Sequence, residues 1–192
     1  MTILGILVPI ALILALIALI GSRLPKTHVA ASRQILEVTV DEAWAIVTNF
    51  TEYPKWRRGL TRVEDGPLID GLPSWYEYCA PRIKVHLQIT ECEFKKRLVT
   101  RLVGEKLPIF GAWEYEFAEN NRGTLLTITE RDKVYNPILR FFTLLVFPHH
   151  AAMDVFLIAL ARHCGSKGEP IHLSLKAEEF EPDTASSEST GS

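Results

Sequence analysis

Ionisable side chains that gather within a few residues of one another are where chemistry would start in this chain, and His149, His150 and Asp154 form its most suggestive polar cluster. On a helix His150 and Asp154 lie four apart and share a face, whereas His149 and His150 diverge by about 100°. Such a pair suits a cap, an ion pair or a ligand contact at a cavity mouth. Zinc would want three or four convergent ligands and no HExxH spacing occurs, so no metal is expected. A second set, His86, Gln88, Glu91, Arg101 and Glu130, falls within strand-like segments. From inside a cavity such groups would polarise a carbonyl and move a proton. Ile83, Val85, Leu87 and Ile89 hold the opposite parity to Lys84, His86 and Gln88, which turns His86 outward. Glu91 and Glu93 share the apolar parity, which requires a bulge, a strand end, or one of them in the pocket.

Aromatic residues concentrate in two segments, with Trp75, Tyr76 and Tyr78 in one and Trp113, Tyr115 and Phe117 in the other. Rings fill cores, and they also wall cavities, where Tyr hydroxyls orient a ligand. Alternation sends Trp113, Tyr115 and Phe117 to one face while Glu114 and Glu116 take the other, and Trp75 and Tyr76 cannot both face inward. The ligand-contacting set expected is Trp113, Tyr115, Phe117, Tyr78, Phe142, Met153 and His150. No catalytic residue is assigned. No GxGxxG, GxxxxGK, GxSxG or CxxC motif is present, so no cofactor is expected.

The elements that must position these residues follow an informative order. His28 to Val38 reads as a first strand. Thr39 or Asp41 can cap a helix through Phe50, with Ala43, Trp44, Ile46 and Val47 on its apolar face. Tyr53 to Trp56 starts a second short helix or turn. Strands are then expected near Thr61 to Glu64, Ser74 to Ala80, Ile83 to Phe94, Arg97 to Glu105, Gly111 to Glu119 and Gly123 to Val134. Asn120-Asn121-Arg122-Gly123 marks a hairpin, because Asn and Gly tolerate positive φ. Asn136 then caps a helix with Pro137 in its first turn, running to about His163 with a bend at Pro148. Phe141 to Phe147 is apolar nearly all round, so part of this run packs in the core, meets the bilayer surface or lines a lipid-accessible opening.

That order, with Val38-Thr-Val-Asp-Glu-Ala-Trp44, Asn49-Phe-Thr-Glu-Tyr-Pro-Lys-Trp56 and Asn136-Pro-Ile-Leu-Arg-Phe-Phe142 leading to His149-His-Ala-Ala-Met-Asp154, resembles the SRPBCC superfamily, particularly its polyketide cyclase/dehydrase branch. The resemblance covers about residues 28 to 163. It implies an α+β helix-grip fold, a curved antiparallel sheet wrapped around a long C-terminal helix with two short helices after the first strand. It also implies a cavity between sheet and helix for a hydrophobic or amphipathic ligand. Members include lipid carriers, hormone receptors, aromatase/cyclases and chaperone regulators, so the fold does not select a function.

Composition bounds the rest. At 47% hydrophobic and 23% charged the 192 residues suit a globular chain, and a formal charge of −2 excludes a strongly basic nucleic-acid binder. The last sixteen residues carry Glu178, Glu179, Glu181, Asp183 and Glu188 and no base, which leaves the remainder at +3. Three widely spaced cysteines read as buried thiols of a reducing compartment. Residues 2–22 carry no charge, and Ile3 to Ile20 would span roughly 27 Å as a helix, close to a hydrocarbon core. Arg23, Lys26 and Arg33 follow that run, so the positive-inside rule places the C-terminal body in the cytoplasm. The organisation expected is a single-pass transmembrane anchor over 1–23, a helix-grip domain over 24–165 and a disordered acidic tail over 166–192. The function expected is binding of a hydrophobic or lipid-like small molecule beside a membrane, with catalysis disfavoured. The alternatives are a polyketide cyclase/aromatase-type enzyme or a protein-interaction module with a vestigial cavity. The partners expected are that ligand, the membrane and, in the last case, a protein.

Overall fold

The structure is a computed structural model and describes residues 3–79, 83–104, 109–145 and 150–175. Eight strands form one antiparallel sheet: β1 (Thr27–Leu36), β2 (Leu60–Asp65), β3 (Ser74–Cys79), β4 (Ile83–Glu93), β5 (Arg97–Leu102), β6 (Ile109–Asn120), β7 (Gly123–Val134) and β8 (Ile171–Leu173). Their spatial order is β2-β3-β4-β5-β6-β7-β1-β8, a meander closed by the first strand and edged by the last. Four α-helices, α1 (Ile3–Arg23), α2 (Val40–Thr48), α3 (Pro137–Leu145) and α4 (Ala151–His163), and a 3-10 helix over Phe50–Lys55 complete the fold.

Local chemistry explains the boundaries. Thr39 caps α2 in a full capping box, its hydroxyl accepting from Glu42 N–H while Glu42 reaches back to Thr39 N–H. Asn136 Oδ1 accepts from the N–H groups of Ile138 and Leu139 at 2.9 and 3.1 Å, so the expected cap of α3 is present. Gly123, at φ +129°, closes the hairpin against the end of β1, where a Cβ would lie 2.2 Å from Leu36 O. A register shift between Ile89 and Glu91 supplies the bulge that the parity of Glu91 and Glu93 required.

The core lies between the concave face of the sheet and α2, α4 and the 3-10 helix. Leu36, Val47, Leu98, Leu126, Ile128, Met153, Leu157 and Leu160 are fully buried there. Burying each such side chain contributes about 1.5–3 kcal/mol.

Three expectations need correction. The single long C-terminal helix is two helices: α3 packs against α1, and only α4 lies across the sheet at β1. Pro148, where a bend was expected, and His149 lie outside the described residues. The chain after Gly165 is not wholly without structure, because Ile171–Leu173 pairs with Arg33, Ser32 and Ala31. The anchor expected over 1–23 is a helix, α1, with Leu12, Ile13 and Leu16 exposed at 66, 58 and 56%. Among the described residues, however, no helix is long and apolar enough to cross a membrane.

Candidate active site

Strand alternation fixes which side chains can meet inside the grip. On β7 the inward parity runs Leu126, Ile128, Glu130, Asp132 and Val134, so two carboxylates interrupt the strand's apolar stripe. Opposite Glu130 stand Trp113 on β6 and Ala30 on β1; opposite Asp132 stand Gly111 and His28. Trp113 Nε1 donates to Glu130 Oε1 at 2.6 Å. Gly111 is where β6 approaches Asp132: a Cβ there would fall 2.7 Å from Asp132 Oδ1 and 3.3 Å from Leu102 Cδ1.

Burial sets the protonation of this pair. Desolvation pushes the Asp132 carboxyl up to about 7, and the charge of nearby Glu130 adds to the rise. Desolvation also raises Glu130, while its hydrogen bond from Trp113 works the other way. Both half-buried carboxyls are therefore shifted toward their protonated forms, and only Glu130 carries a hydrogen bond, from Trp113, that opposes the shift.

Trp113, Tyr115, Phe117 and Met153 of the expected ligand-contacting set face the interior between sheet and helices. Trp113 and Tyr115 pack on Phe156 of α4 at ring separations of 5.8 and 5.7 Å. Met153 is fully buried on the same helix. Phe117 also faces inward but packs on Trp44 of α2 at 5.2 Å, away from the acid pair. Deeper in, Arg57 Nη1 donates to Glu77 Oε1 at 2.8 Å beneath Trp75, and its guanidinium lies over the rings of Tyr53 and Phe156. Burial drives the Tyr53 and Tyr115 hydroxyls far above the usual phenol range.

Three expected contacts lie elsewhere. Tyr78 faces out, where its hydroxyl donates to Glu64 at 2.6 Å and Arg62 covers its ring, because Trp75 and Glu77 take the inward parity of β3. Phe142 is on α3, edge-on to Phe141 at 5.4 Å, and so belongs to the helix that leaves the grip. His150 is drawn to the β1–β8 edge: its Nδ1 is 3.1 Å from Ser32 Oγ, and its ring stacks on His172 at 4.0 Å. Ser32 Oγ donates to Asp154 at 3.1 Å, and His172 Nε2 bonds the other Asp154 oxygen at 2.8 Å. These bonds fasten β8 to α4.

Of the polar strand residues considered, only Glu130 points inward. His86 faces out as parity required, and its pKa is lowered by burial and by Lys84. It bonds Ser74 Oγ, and the loop before β3 folds over Gln88, which donates to Ile69 O. Arg101 donates to Gln88, and Glu91 pairs with Arg97. Asp132 and His28 were missed, although Asp132 has the parity of Leu126 and Ile128 and could have been found from it. Among the described residues no group of three or more His, Cys, Asp or Glu is placed to hold a metal ion.

An opening of about 610 Å³ lies at the end of the sheet where β4 and β6 begin, lined by Ile83, Val85, Leu102 and Ile109 with Lys84 and His86 at its edge. Leu102 in the wall of this opening is also a neighbour of Gly111, where a Cβ would lie 3.3 Å from Leu102 Cδ1; Glu130 and Asp132 themselves do not line the opening.

Comparison with known proteins agrees with the geometry. Residues 26–165 match the profile of a family described as polyketide cyclase/dehydrase and lipid transport. No curated protein matches the sequence. Among solved structures, the Zhui aromatase/cyclase from a Streptomyces is similar at a TM-score of 0.61 and 11% identity, covering 72% of this chain and 94% of that one. The di-domain aromatase/cyclase StfQ from the steffimycin biosynthetic pathway gives 0.59 at 11% identity, over 72% of this chain and 51% of that one, so the chain spans about half its length. A START superfamily protein from Mycobacterium smegmatis gives 0.56 at 12% identity, over 72% and 97%. At such identities these likenesses speak to the fold, which is the α+β helix-grip arrangement with a curved antiparallel sheet.

Proposed function

Since the chain belongs to the polyketide cyclase/dehydrase and lipid transport family, we propose that it is an acid–base enzyme of the cyclase/dehydratase type, acting on an apolar, carbonyl-bearing molecule held between sheet and α4. The observation that carries this reading is the inward pair Glu130 and Asp132, with Asp132 pushed up to about 7. A carrier needs apolar walls and has no use for two convergent carboxyls, whose burial costs stability. The pair thus shifts the weight from binding alone, the first expectation, to catalysis.

In this reading Glu130, which accepts from Trp113, is the base and Asp132 is the acid. Glu130, as carboxylate, removes a proton from the carbon beside a substrate carbonyl while Asp132 gives its proton to that carbonyl oxygen, producing an enol. The enol carbon can then close on a second carbonyl of the same molecule, with Asp132, now the base, and Glu130, now the acid, reversing their roles. Each proton lost is matched by one gained, and no redox partner is required. Trp113 holds the base in place, and Tyr115 and Phe156 provide the apolar contact that positions the substrate.

Attachment to a membrane belongs to the same proposal. It is supported by α1, an uncharged apolar helix up to Arg23, and by the cations Arg23 and Lys26 that follow. In this reading the body lies on the cytoplasmic side.

The test is α-proton exchange with deuterium, and cyclisation, of a short poly-β-ketone mimic, followed by mass spectrometry with the full chain in detergent. The wild type should catalyse exchange, and Asp132→Asn and Glu130→Gln should each lower the rate by about 100-fold or more. Wild-type exchange no faster than that of either variant would return the protein to the binding reading.

A further inference from the structure

The helix that leaves the grip and the opening of the cavity lie at the same end of the molecule. Ile109, which lines the opening, pairs with Val134 on β7, and Val134 N–H donates to Lys26 O at 2.8 Å, just after α1. Arg140 of α3 joins these parts. Its guanidinium, 3% exposed, donates to Val134 O and Tyr135 O at the end of β7 and to Gly21 O and Leu24 O at the end of α1. Gly21 lets the two helices touch, because a Cβ there would sit 1.8 Å from Pro137 O. The apolar residues of α3 are therefore fixed against α1, with Ile138 and Leu145 left 36 and 56% exposed. Ile83, at the opening, is 58% exposed.

We infer that α1 and α3 form one lipid-embedded unit, and that it seats the open end of the sheet on the bilayer so that an apolar substrate passes from lipid into the cavity without crossing water. This rests on the membrane attachment proposed above and adds the element that carries the portal. Three observations favour lipid as the occupant. The exposed apolar side chains of α3 sit beside those of α1, a helix with Leu12, Ile13 and Leu16 exposed, a combined apolar surface that suits a lipid environment. Arg23 closes α1, Lys26 follows it and Lys84 edges the opening, so cations suited to anionic headgroups flank both parts. The opening is lined mainly by aliphatic side chains, and Leu102 in its wall neighbours Gly111, the residue opposite Asp132.

The experiment places an environment-sensitive fluorophore on single cysteines at Leu145, Ile83 and Phe94, in the full chain with Cys79, Cys92 and Cys164 replaced by Ser. Phe94, 69% exposed, follows β4 at the end opposite Ile83. The proteins are reconstituted in phosphatidylcholine/phosphatidylglycerol vesicles containing doxyl-labelled lipid. Quenching at Leu145 and Ile83 should exceed that at Phe94 by roughly threefold, with Leu145 the deeper of the two. Vesicle-bound protein in which Leu145 and Ile83 are quenched no more than Phe94 would overturn the portal while leaving attachment through α1 intact. A Leu145 probe that is dry but untouched by doxyl lipid would mean a second copy covers α3, and would also overturn it. Protein that does not float with the vesicles would overturn the attachment itself.

Discussion

At the scale of single residues the molecule turns on where two carboxyls point. Asp132 is held above its usual range mainly by burial, so folding favours its protonated form. The sign of the pH effect follows: the cost is absent below the unfolded value of 3.8, grows as pH rises, and is complete above about 7. Asp132→Asn should therefore be about neutral at pH 3.5 and raise stability by on the order of 2–4 kcal/mol at pH 8, as followed by thermal melts across that range. The same variant loses activity, so stability and turnover move in opposite directions, as they do where a site is kept under electrostatic stress. Trp113→Phe keeps the ring against Phe156 but removes the donor to Glu130. Its rate should fall about tenfold, and the acidic limb of the pH–rate profile should move upward, because the carboxylate loses the bond that favours its charged form.

At the scale of elements the decisive feature is that α3 and α4 are separate helices. A helix continuous to His163 would have lain across the sheet; instead α3 stays with α1, and α4 alone closes the grip. The α1–α3 contact depends on Gly21. Gly21→Leu should push the helices apart and speed amide exchange over 137–145 by at least about tenfold, while the strands β6 and β7 keep their protection. At the other edge, β8 is three residues long and leans on Asp154 for attachment to Ser32 and His172. Asp154→Ala should release Ile171–Leu173 to exchange and leave the buried face of α4 unchanged.

At the scale of the whole molecule, Arg140 joins the β7–α3 junction to the end of α1, 116 to 119 positions earlier. Its five hydrogen bonds go to backbone carbonyls at the ends of α1 and β7. Arg140→Met keeps the length and apolar stem but leaves those carbonyls without their donor. It should lower stability by about 3 kcal/mol, measured by urea unfolding in detergent. Loss of this clamp should also uncouple α1 from the sheet, seen as independent melting of the two.

What the sequence determined by itself was order and parity. The seven long strands and α2 sit within a few residues of where turn residues and alternation put them. The inward run of Trp113, Tyr115 and Phe117 and the outward turn of His86 follow from a period of two, which needs no knowledge of partners. Tertiary structure decided the rest. Tyr78 and Trp75 are equally plausible wall residues along the chain, and only pairing with β4 chose between them. His150 and Asp154 share a helix face, but Ser32 and His172, 118 positions before and 22 after His150, made that face a fastening rather than a mouth. Asp132 is one more charge on a strand until Gly111, Leu102 and Glu130 surround it. A carboxyl's pKa depends on the water it loses and the charges it meets, and both are properties of packing rather than of spacing.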